Sequence, residues 1–323
     1  MEPKQKKRLI WQLPFLALLI VGTVLIIRQQ RSTPYQHNKG FVFGTIYNVT
    51  YQCSSDLQDE IEAELKKVDL EFSMFNDSST VARINRGEKV TPGPMYQEVY
   101  ELAQTVTRET DGAFDITVAP LVNAWGFGFK HEQMPTPSQV DSLLKIRNQL
   151  DFSAIAKGYG SDVIARLLRR HNISNFMVEI GGEITTRGIN PERVPWKIGV
   201  NKPNEDALNE SHELQTILNV TDKSMATSGN YRNFYVKDGK KYAHTIDPKT
   251  GYPVQHTLLS ATVLTDRCAK ADAYATSFMV MGMEGAKKIL ESHKDLMAYL
   301  IYTDKKGNLA VWYSPSLEDK IVK

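Results

Sequence analysis

Two oxygen-bearing side chains, Asp272 and Thr276, stand four residues apart in the otherwise small and apolar stretch DRCAKADAYATSFMVMG, residues 266–282. At helical spacing both side chains lie on the same face, one turn apart. Their oxygens suit Mg²⁺, which takes few protein ligands and keeps water and phosphate oxygens in its shell. The pair also fits a helix whose N-terminal half favours an acid and whose threonine bonds to its own backbone. The spacing alone leaves both interpretations open.

Four more segments combine small residues with isolated polar groups: DGAFDITVAPLVNAWGFG (111–128), DFSAIAKGYGSDVIARLL (151–168), VEIGGEITTRG (178–188) and YAHTIDPKTGYPV (242–254). The pair Gly181-Gly182 allows the backbone to approach a ligand and direct N–H groups at an anion, or it forms a plain hairpin turn. DPKTG is a turn signal, so Asp247 has a structural explanation. His244, just before it, is either a structural donor or a catalyst.

Taken together and in order, GAFDITVAPLVNAWGFG, DFSAIAKGYGSDVI, VEIGGEI, HTIDPKTGYPV and CAKADAYATSFMVMG resemble the motifs of the ApbE family of FAD:protein FMN transferases. The resemblance extends from about Phe41 to near the C-terminus. It implies Mg²⁺-dependent cleavage of FAD at the pyrophosphate and transfer of FMN to a Thr or Ser hydroxyl. The acceptor would be an exported or membrane redox protein, and the products a phosphoester and AMP.

The resemblance also implies a role for individual residues. Asp272, Thr276 and the backbone carbonyl of Ala154 match the metal ligands. Residues that match the flavin site are Phe43, Phe75, Ala113, Phe114, Asp115, Asp151, Lys157, Gly181, Gly182, His244, Thr245 and Ile246. Our own hypothesis for the mechanism adds a general base, for which His244 is the preferred candidate and Asp247 and Asp115 are the alternatives, and electrostatic stabilisation by Lys157.

Two positions depart from the family pattern. Phe43 replaces the usual Met of M-G-T, and Phe75 stands where S-T-Y often has Tyr. Both residues keep bulk for packing on FAD. Phe75 lacks the hydroxyl of Tyr and therefore any hydrogen bond that this hydroxyl would make. Hydrolysis of FAD to FMN and AMP at the same site remains an alternative, as does a membrane-tethered flavin-binding protein without catalysis. The Asp272/Thr276 pair argues against the latter, because binding alone requires no magnesium site.

The elements that must position these residues can be read from hydrophobic periodicity. It predicts helices over about 56–72, 95–109, 137–146, 161–171, 270–281 and 284–293, and one strand in FVFGTIYNVTYQC. Further strands are predicted in FMVEI, EITTRG, WKIGVN, QTILNV, SMATSG, NFYVKD, SATVLT, MAYLIYT and LAVWY. Because the strands are grouped and do not alternate regularly with helices, the fold class is α+β, an ApbE-like domain of mixed strands with packed helices.

The N-terminus predicts a location. The 323 residues carry a net charge of only +2, with Lys and Arg spread along the chain apart from one cluster at the N-terminus, so nucleic acid is not an expected partner. A basic tail (1–8) precedes an uncharged apolar run (9–27) about as long as a bilayer is thick. We expect a single transmembrane signal anchor, a polar linker (28–40) and a catalytic domain (41–323) on the periplasmic side of the inner membrane. The alternative is a cleaved signal peptide. The redox state of Cys53 and Cys268 stays open.

Overall fold

A large antiparallel sheet forms the centre of the protein. The structure, a computed structural model, describes residues 3–127, 134–146, 148–203, 213–230, 234–237 and 240–322. The sheet has eight strands in the order β1-β2-β3-β4-β7-β10-β11-β12, and β5-β6 and β8-β9 form separate hairpins. The strands are β1 (Tyr35–Val42), β2 (Thr45–Gln52), β3 (Phe176–Ile180), β4 (Glu183–Arg187), β5 (Lys197–Asn201), β6 (Leu214–Asn219), β7 (Ser224–Gly229), β8 (Phe234–Lys237), β9 (Lys240–Ala243), β10 (Leu258–Thr265), β11 (Met297–Thr303) and β12 (Leu309–Tyr313).

Several helices pack against this sheet, and the α+β prediction is confirmed. The helices are α1 (Pro3–Ser32), α2 (Gln58–Phe72), α3 (Thr80–Asn85), α4 (Pro94–Glu109), α5 (Ala119–Ala124), α6 (Pro137–Leu143), α7 (Ser153–Arg170) and α8 (Cys268–Ser292), with a short 3₁₀ turn at Pro315–Lys320. Of these, α2, α7 and α8 pack against the sheet. The main core lies where α7 and α8 pack together and against β4, β7 and β10. That arrangement brings the two most informative sequence motifs into contact.

Small residues allow α8 to pack closely. Ala269, Ala271, Ala273 and Ala275 are all fully buried. The helix is interrupted at Gly282, where φ is 69°. This interruption lies between the two predicted helices, 270–281 and 284–293. Glycine can adopt the positive φ at this position because it has no Cβ.

Several elements differ from the prediction. Helix α7 begins at Ser153 and not at 161, because the small residues and glycines of SAIAKGYG hide its periodicity, and strand β9 was not predicted. FVFGTIYNVTYQC contains the end of one strand and the whole of the next, because the chain turns at Phe43 and Gly44, both at positive φ. The predicted linker 28–40 is too long, because its last residues pair with β2 from Tyr35 onward. The short helices α3 and α5 were not predicted. Each is shorter than two turns, so each has too little hydrophobic periodicity to detect.

The N-terminal anchor is not confirmed. No helix within the described residues is long and apolar enough to cross a membrane. Cys53 and Cys268 are both free thiols, and Cys268 is buried.

Candidate active site

A cavity of about 1030 Å³ opens where the β3–β4 turn, β7, α7 and α8 meet. This volume is at the upper end of the range for small-molecule sites, so it suits a ligand as large as a dinucleotide. The residues predicted for the site that line it are Phe43, Phe75, Ala113, Phe114, Asp115, Asp151, Ala154, Lys157, Gly181, Gly182, His244, Thr245, Ile246, Asp272 and Thr276. The fold thus brings all five motifs to one place, and only Asp247 of the predicted set is absent from the lining.

A buried cluster of charges lies at the wall formed by α7 and α8. Lys157 Nζ is 3.0 Å from Glu183 Oε1 and 3.9 Å from Asp272 Oδ2. The Glu183 and Asp272 side chains are only 5% and 3% exposed, whereas that of Lys157 is 29% exposed. One cation therefore compensates two carboxylates that are removed from water.

Burial and mutual repulsion shift the protonation of this cluster. Burial alone would lower the pKa of Lys157, but Asp272 and Glu183 outweigh it and raise that pKa, so the ammonium stays charged. Burial raises the pKa of Glu183 to about 8, with Lys157 opposing and Asp272 adding to the shift. Burial also raises the pKa of Asp272, against the ammonium of Lys157 and a hydrogen bond from the Gly158 N–H.

The predicted metal ligands face this cavity together. Asp272 and Thr276 line it from α8, and Ala154 lines it from the first turn of α7. Thr276 Oγ1 is 3.1 Å from Ser228 Oγ on β7, and Asp272 Oδ2 accepts the Gly158 N–H at 3.1 Å. Among the described residues, no group of three or more His, Cys, Asp or Glu could hold a metal. The available donors are hard oxygens, few in number, which fits Mg²⁺ better than zinc.

An unsatisfied atom supports the presence of a further ligand. Glu183 Oε2 is buried, and no described residue gives it a hydrogen bond. A buried carboxylate oxygen without a partner is costly and calls for a water, a proton or a bound group. The cluster is therefore built to receive something polar.

The glycine pair forms a two-residue hairpin loop between β3 and β4, with φ of 65° at Gly181 and 105° at Gly182. The Gly181 N–H donates to the Ile46 carbonyl at 3.0 Å, so it does not point at a ligand. A Cβ at Gly181 would lie 2.8 Å from the Thr45 side chain. Both sequence interpretations apply: the turn is structural, and it also lines the cavity, with only Gly182 able to direct an N–H at an anion.

Two of the three candidate general bases are carboxylates that already accept hydrogen bonds from their own turns. Asp247 accepts the Lys249 N–H at 2.9 Å through one carboxylate oxygen and the Thr250 hydroxyl at 3.2 Å through the other. Asp115 lines the cavity but accepts from both the N–H and the hydroxyl of Thr117. Both carboxylates therefore serve to shape the chain locally.

The third candidate, His244, is half-buried in the cavity lining, and its ring centre lies 6.4 Å from that of Phe127. A ring nitrogen of imidazole can take a proton from a hydroxyl. His244 and Asp115 are the two candidate bases that line the cavity.

The other predicted flavin-site residues divide into buried and exposed groups. Ala113 and Phe114 are buried, and Thr245 donates its hydroxyl to Asn230 at 2.6 Å. Asp151 accepts the Ser153 N–H at 2.8 Å and thereby supports the start of α7. Phe75 is 77% exposed at the cavity edge, where its ring is accessible to a planar ligand.

Two contacts fix α7 against α8 next to the cluster. Gly158 allows close approach, because a Cβ there would lie 2.4 Å from the Cys268 carbonyl oxygen. Asp162 caps α8 from α7 by accepting the N–H groups of Cys268 and Ala269 at 2.8 and 3.1 Å. These contacts set where Asp272 and Thr276 stand relative to Ala154 and Lys157.

Sequence reasoning missed Glu183 and Ser228. Glu183 directly follows the glycine pair, and this position beside a candidate ligand-binding turn is the signal that could have found it. Ser228 gave no such signal, because its partner Thr276 is distant in the chain.

Comparisons with known proteins identify the family of this chain. The model of the ApbE family matches residues 43–301. The FAD:protein FMN transferase of Haemophilus influenzae is 35% identical over 313 residues, covering 86% of this chain and 89% of that protein. The protein of the same name from Escherichia coli K12 is 33% identical over 296 residues, covering 83% of each. The solved structure of the flavin transferase ApbE from Vibrio cholerae superposes with a TM-score of 0.80 at 33% identity, over 89% of this chain and 99% of that chain.

Proposed function

This chain belongs to the ApbE family, and we propose that it transfers FMN from FAD to a Thr or Ser hydroxyl of an exported or membrane redox protein. The observation that carries the proposal is the convergence of Asp272, Thr276, Ala154 and Lys157 on one cavity large enough for FAD. A merely flavin-binding protein would have no need to bury two carboxylates and a lysine at the ligand.

We propose that Mg²⁺ is held by the Asp272 carboxylate, the Thr276 hydroxyl and the Ala154 carbonyl. The hard oxygen donors and the unsatisfied oxygen of the neighbouring Glu183 support this assignment. When bound there, the ion supplies charge neutralisation at the pyrophosphate of FAD.

The protein's own groups act on the two substrates. The acceptor hydroxyl oxygen attacks the phosphorus of the FMN half of FAD, and the bond from that phosphorus to the bridging oxygen breaks, releasing AMP. His244 takes the hydroxyl proton in this scheme. The permanently charged Lys157 and the Gly182 N–H stabilise negative charge on the phosphate oxygens.

The flavin itself would bind along the more apolar part of the cavity. Phe43, Phe75 and Phe114 offer aromatic surface for the isoalloxazine ring, and Ala113, Thr245 and Ile246 complete that lining. Asp115 and Asp151 provide acceptors for polar groups of FAD. Asp247 acts on the site only through the turn that holds His244.

We also propose that residues 9–27 anchor the protein in the inner membrane, with the catalytic domain in the periplasm. The uncharged apolar run supports this, as do Leu13, Phe15 and Leu18 within it, whose side chains are 57%, 68% and 72% exposed. Carbonate extraction of membranes tests the anchor. The full chain should stay with the membrane and a chain starting at residue 32 should be released; release of both would contradict the anchor.

Product analysis tests the reaction. With FAD, Mg²⁺ and an exported flavoprotein carrying a candidate acceptor Thr, we expect AMP to appear without an equal amount of free FMN. Equal amounts of AMP and FMN, unchanged by the acceptor, would instead identify a hydrolase that uses water. Chelation by EDTA should suppress AMP release, and AMP release that persists in EDTA would contradict the metal assignment.

A further inference from the structure

Strand β5 borders the cavity through its edge. Four consecutive residues of this strand, 198–201, line the cavity. Successive side chains of a strand point to opposite faces, so one face alone would present only every second residue. The cavity therefore runs along the backbone of β5.

The backbone groups on that edge have no partner in the described chain. Trp196 O accepts the Val220 N–H, and the Lys202 N–H donates to Glu213 O, so these even-numbered residues face β6. Because the N–H and C=O of one residue point to the same side of a strand and those of its neighbours to the other, Lys197 and Gly199 face away from β6.

Hydrogen bonds on the outer side of β6 support the assignment of Lys197 and Gly199 to the outer side of β5. Ile217 lies opposite Gly199, and its carbonyl accepts the Val322 N–H from the C-terminal segment. The Gly199–Ile217 pair thus directs its backbone groups outward on both strands. The C-terminal segment bridges to the outer side of β6, whereas no described strand pairs with the outer side of β5.

We propose that the acceptor polypeptide binds as an added strand along β5, pairing with the N–H and C=O of Gly199 and Lys197. This inference rests on the proposed function, which requires a polypeptide hydroxyl to enter this cavity. An exposed strand edge is a template for pairing with an extended segment of another chain. Main-chain pairing would hold the acceptor segment in extended form and carry its Thr or Ser toward Asp272 and Thr276.

A proline tests the edge with little effect on the β5–β6 ladder. Gly199→Pro removes the outward N–H but no hydrogen bond to β6. Gly199→Ala is the matched control, because its Cβ meets the same neighbour, Leu214 Cδ2 at 2.5 Å, while the N–H remains. We expect the proline variant to raise KM for the acceptor about tenfold relative to the alanine variant. FAD binding, followed by flavin fluorescence, should be equal in the two variants.

N-methylation of the acceptor gives a second test that leaves the enzyme unchanged. A short synthetic peptide around the acceptor Thr is methylated at one backbone nitrogen at a time. An added strand directs alternate N–H groups toward β5, so transfer should fall at every second position and persist between them. If Gly199→Pro does not fold, this test still shows whether the acceptor binds as an added strand along β5.

The outcomes separate the two proposals. Wild-type transfer without alternation along the peptide, or equal transfer by the proline and alanine variants, would overturn strand addition and leave the transferase intact. Loss of FAD binding in Gly199→Pro alone would show that the edge holds FAD and would also overturn it. Absence of FMN transfer by wild-type enzyme to either protein or peptide would instead count against the proposed function.

Discussion

At the scale of single residues, the site depends on one lysine between two buried carboxylates. Lys157 keeps Glu183 and Asp272 in a region where neither carboxylate has full access to water. Removing one partner from such a buried group costs far more than a surface ion pair contributes. Removal of Lys157 should therefore destabilise the fold as well as disturb the site.

Above the pKa of Glu183, which is about 8, Lys157→Met should lower the free energy of unfolding by about 3–5 kcal/mol, because it leaves two buried carboxylates without a cation. Adding Glu183→Gln should restore part of that loss, since one of the two buried carboxylates is then gone. Urea denaturation at about pH 9 measures both changes. Lys145→Met, at an exposed lysine, serves as the control and should stay within about 0.5 kcal/mol of wild type. A double variant no more stable than Lys157→Met would contradict this description of the cluster.

Asp272→Ala should reduce kcat at least about a thousandfold, because a metal at a developing charge supplies several kcal/mol of stabilisation. The AMP release assay at saturating Mg²⁺ measures this. Asp295→Ala is a suitable control, as Asp295 pairs with Lys270 on the protein surface. Mg²⁺-dependent transfer that survives in Asp272→Ala would remove this residue from the metal site.

At the scale of elements, the contact between α7 and α8 determines the geometry of the site. The metal ligands lie on both helices, and Gly158 and Asp162 fix how the helices meet. Displacements of about 1 Å far from the reacting atoms can cost a hundredfold in rate. Changes at this contact should therefore affect stability and turnover together.

Gly158→Ala should destabilise the protein by about 1–3 kcal/mol, because its Cβ meets the Cys268 carbonyl and forces the helices apart. Turnover should fall as well, since Asp272 moves with α8. Thermal unfolding and AMP release check the two effects. In Gly22→Ala the new Cβ meets no atom within 4 Å, so this helical control should match wild type. Wild-type stability in Gly158→Ala would show that the helices can separate without cost.

The buried carboxyl of Asp162 should make the free energy of unfolding depend on pH. Burial raises its pKa from 3.8 to about 6, against the two N–H groups of α8 and nearby arginines. Between these values the folded protein holds more protons at Asp162 than the unfolded chain, so stability falls as pH rises. Asp162→Asn lacks this titration. The unfolding free energy of wild type minus that of Asp162→Asn should decrease by about 2 kcal/mol from pH 4 to 7. A constant difference would contradict the raised pKa.

At the scale of the whole molecule, the sequence predicts individual helices and strands better than it predicts the tertiary contacts between them. Strands such as FMVEI and SATVLT and the break near Gly282 follow from periodicity and glycine, and they are confirmed. The turn at Phe43 escaped prediction because a phenylalanine at positive φ carries no turn signal. The pairing of Lys157 with Glu183 could not be read at all, since α7 and β4 meet only through the tertiary packing.

The resemblance to a family supplied what periodicity could not, namely that five separated motifs share one cavity. It did not reveal that Asp162 caps α8 from another helix, or that the Gly181 N–H is already bonded. Such details depend on distances between elements that are remote in the chain, which no local pattern encodes.

Intact-mass spectrometry of the acceptor tests the central claim most directly. Residues 32–323 are incubated with FAD, Mg²⁺ and an exported flavoprotein carrying a candidate acceptor Thr. We predict that the acceptor gains the mass of FMN minus one water, that the gain disappears with EDTA, and that Thr→Val at the acceptor position abolishes it. An unmodified acceptor accompanied by free FMN and AMP would contradict the transferase.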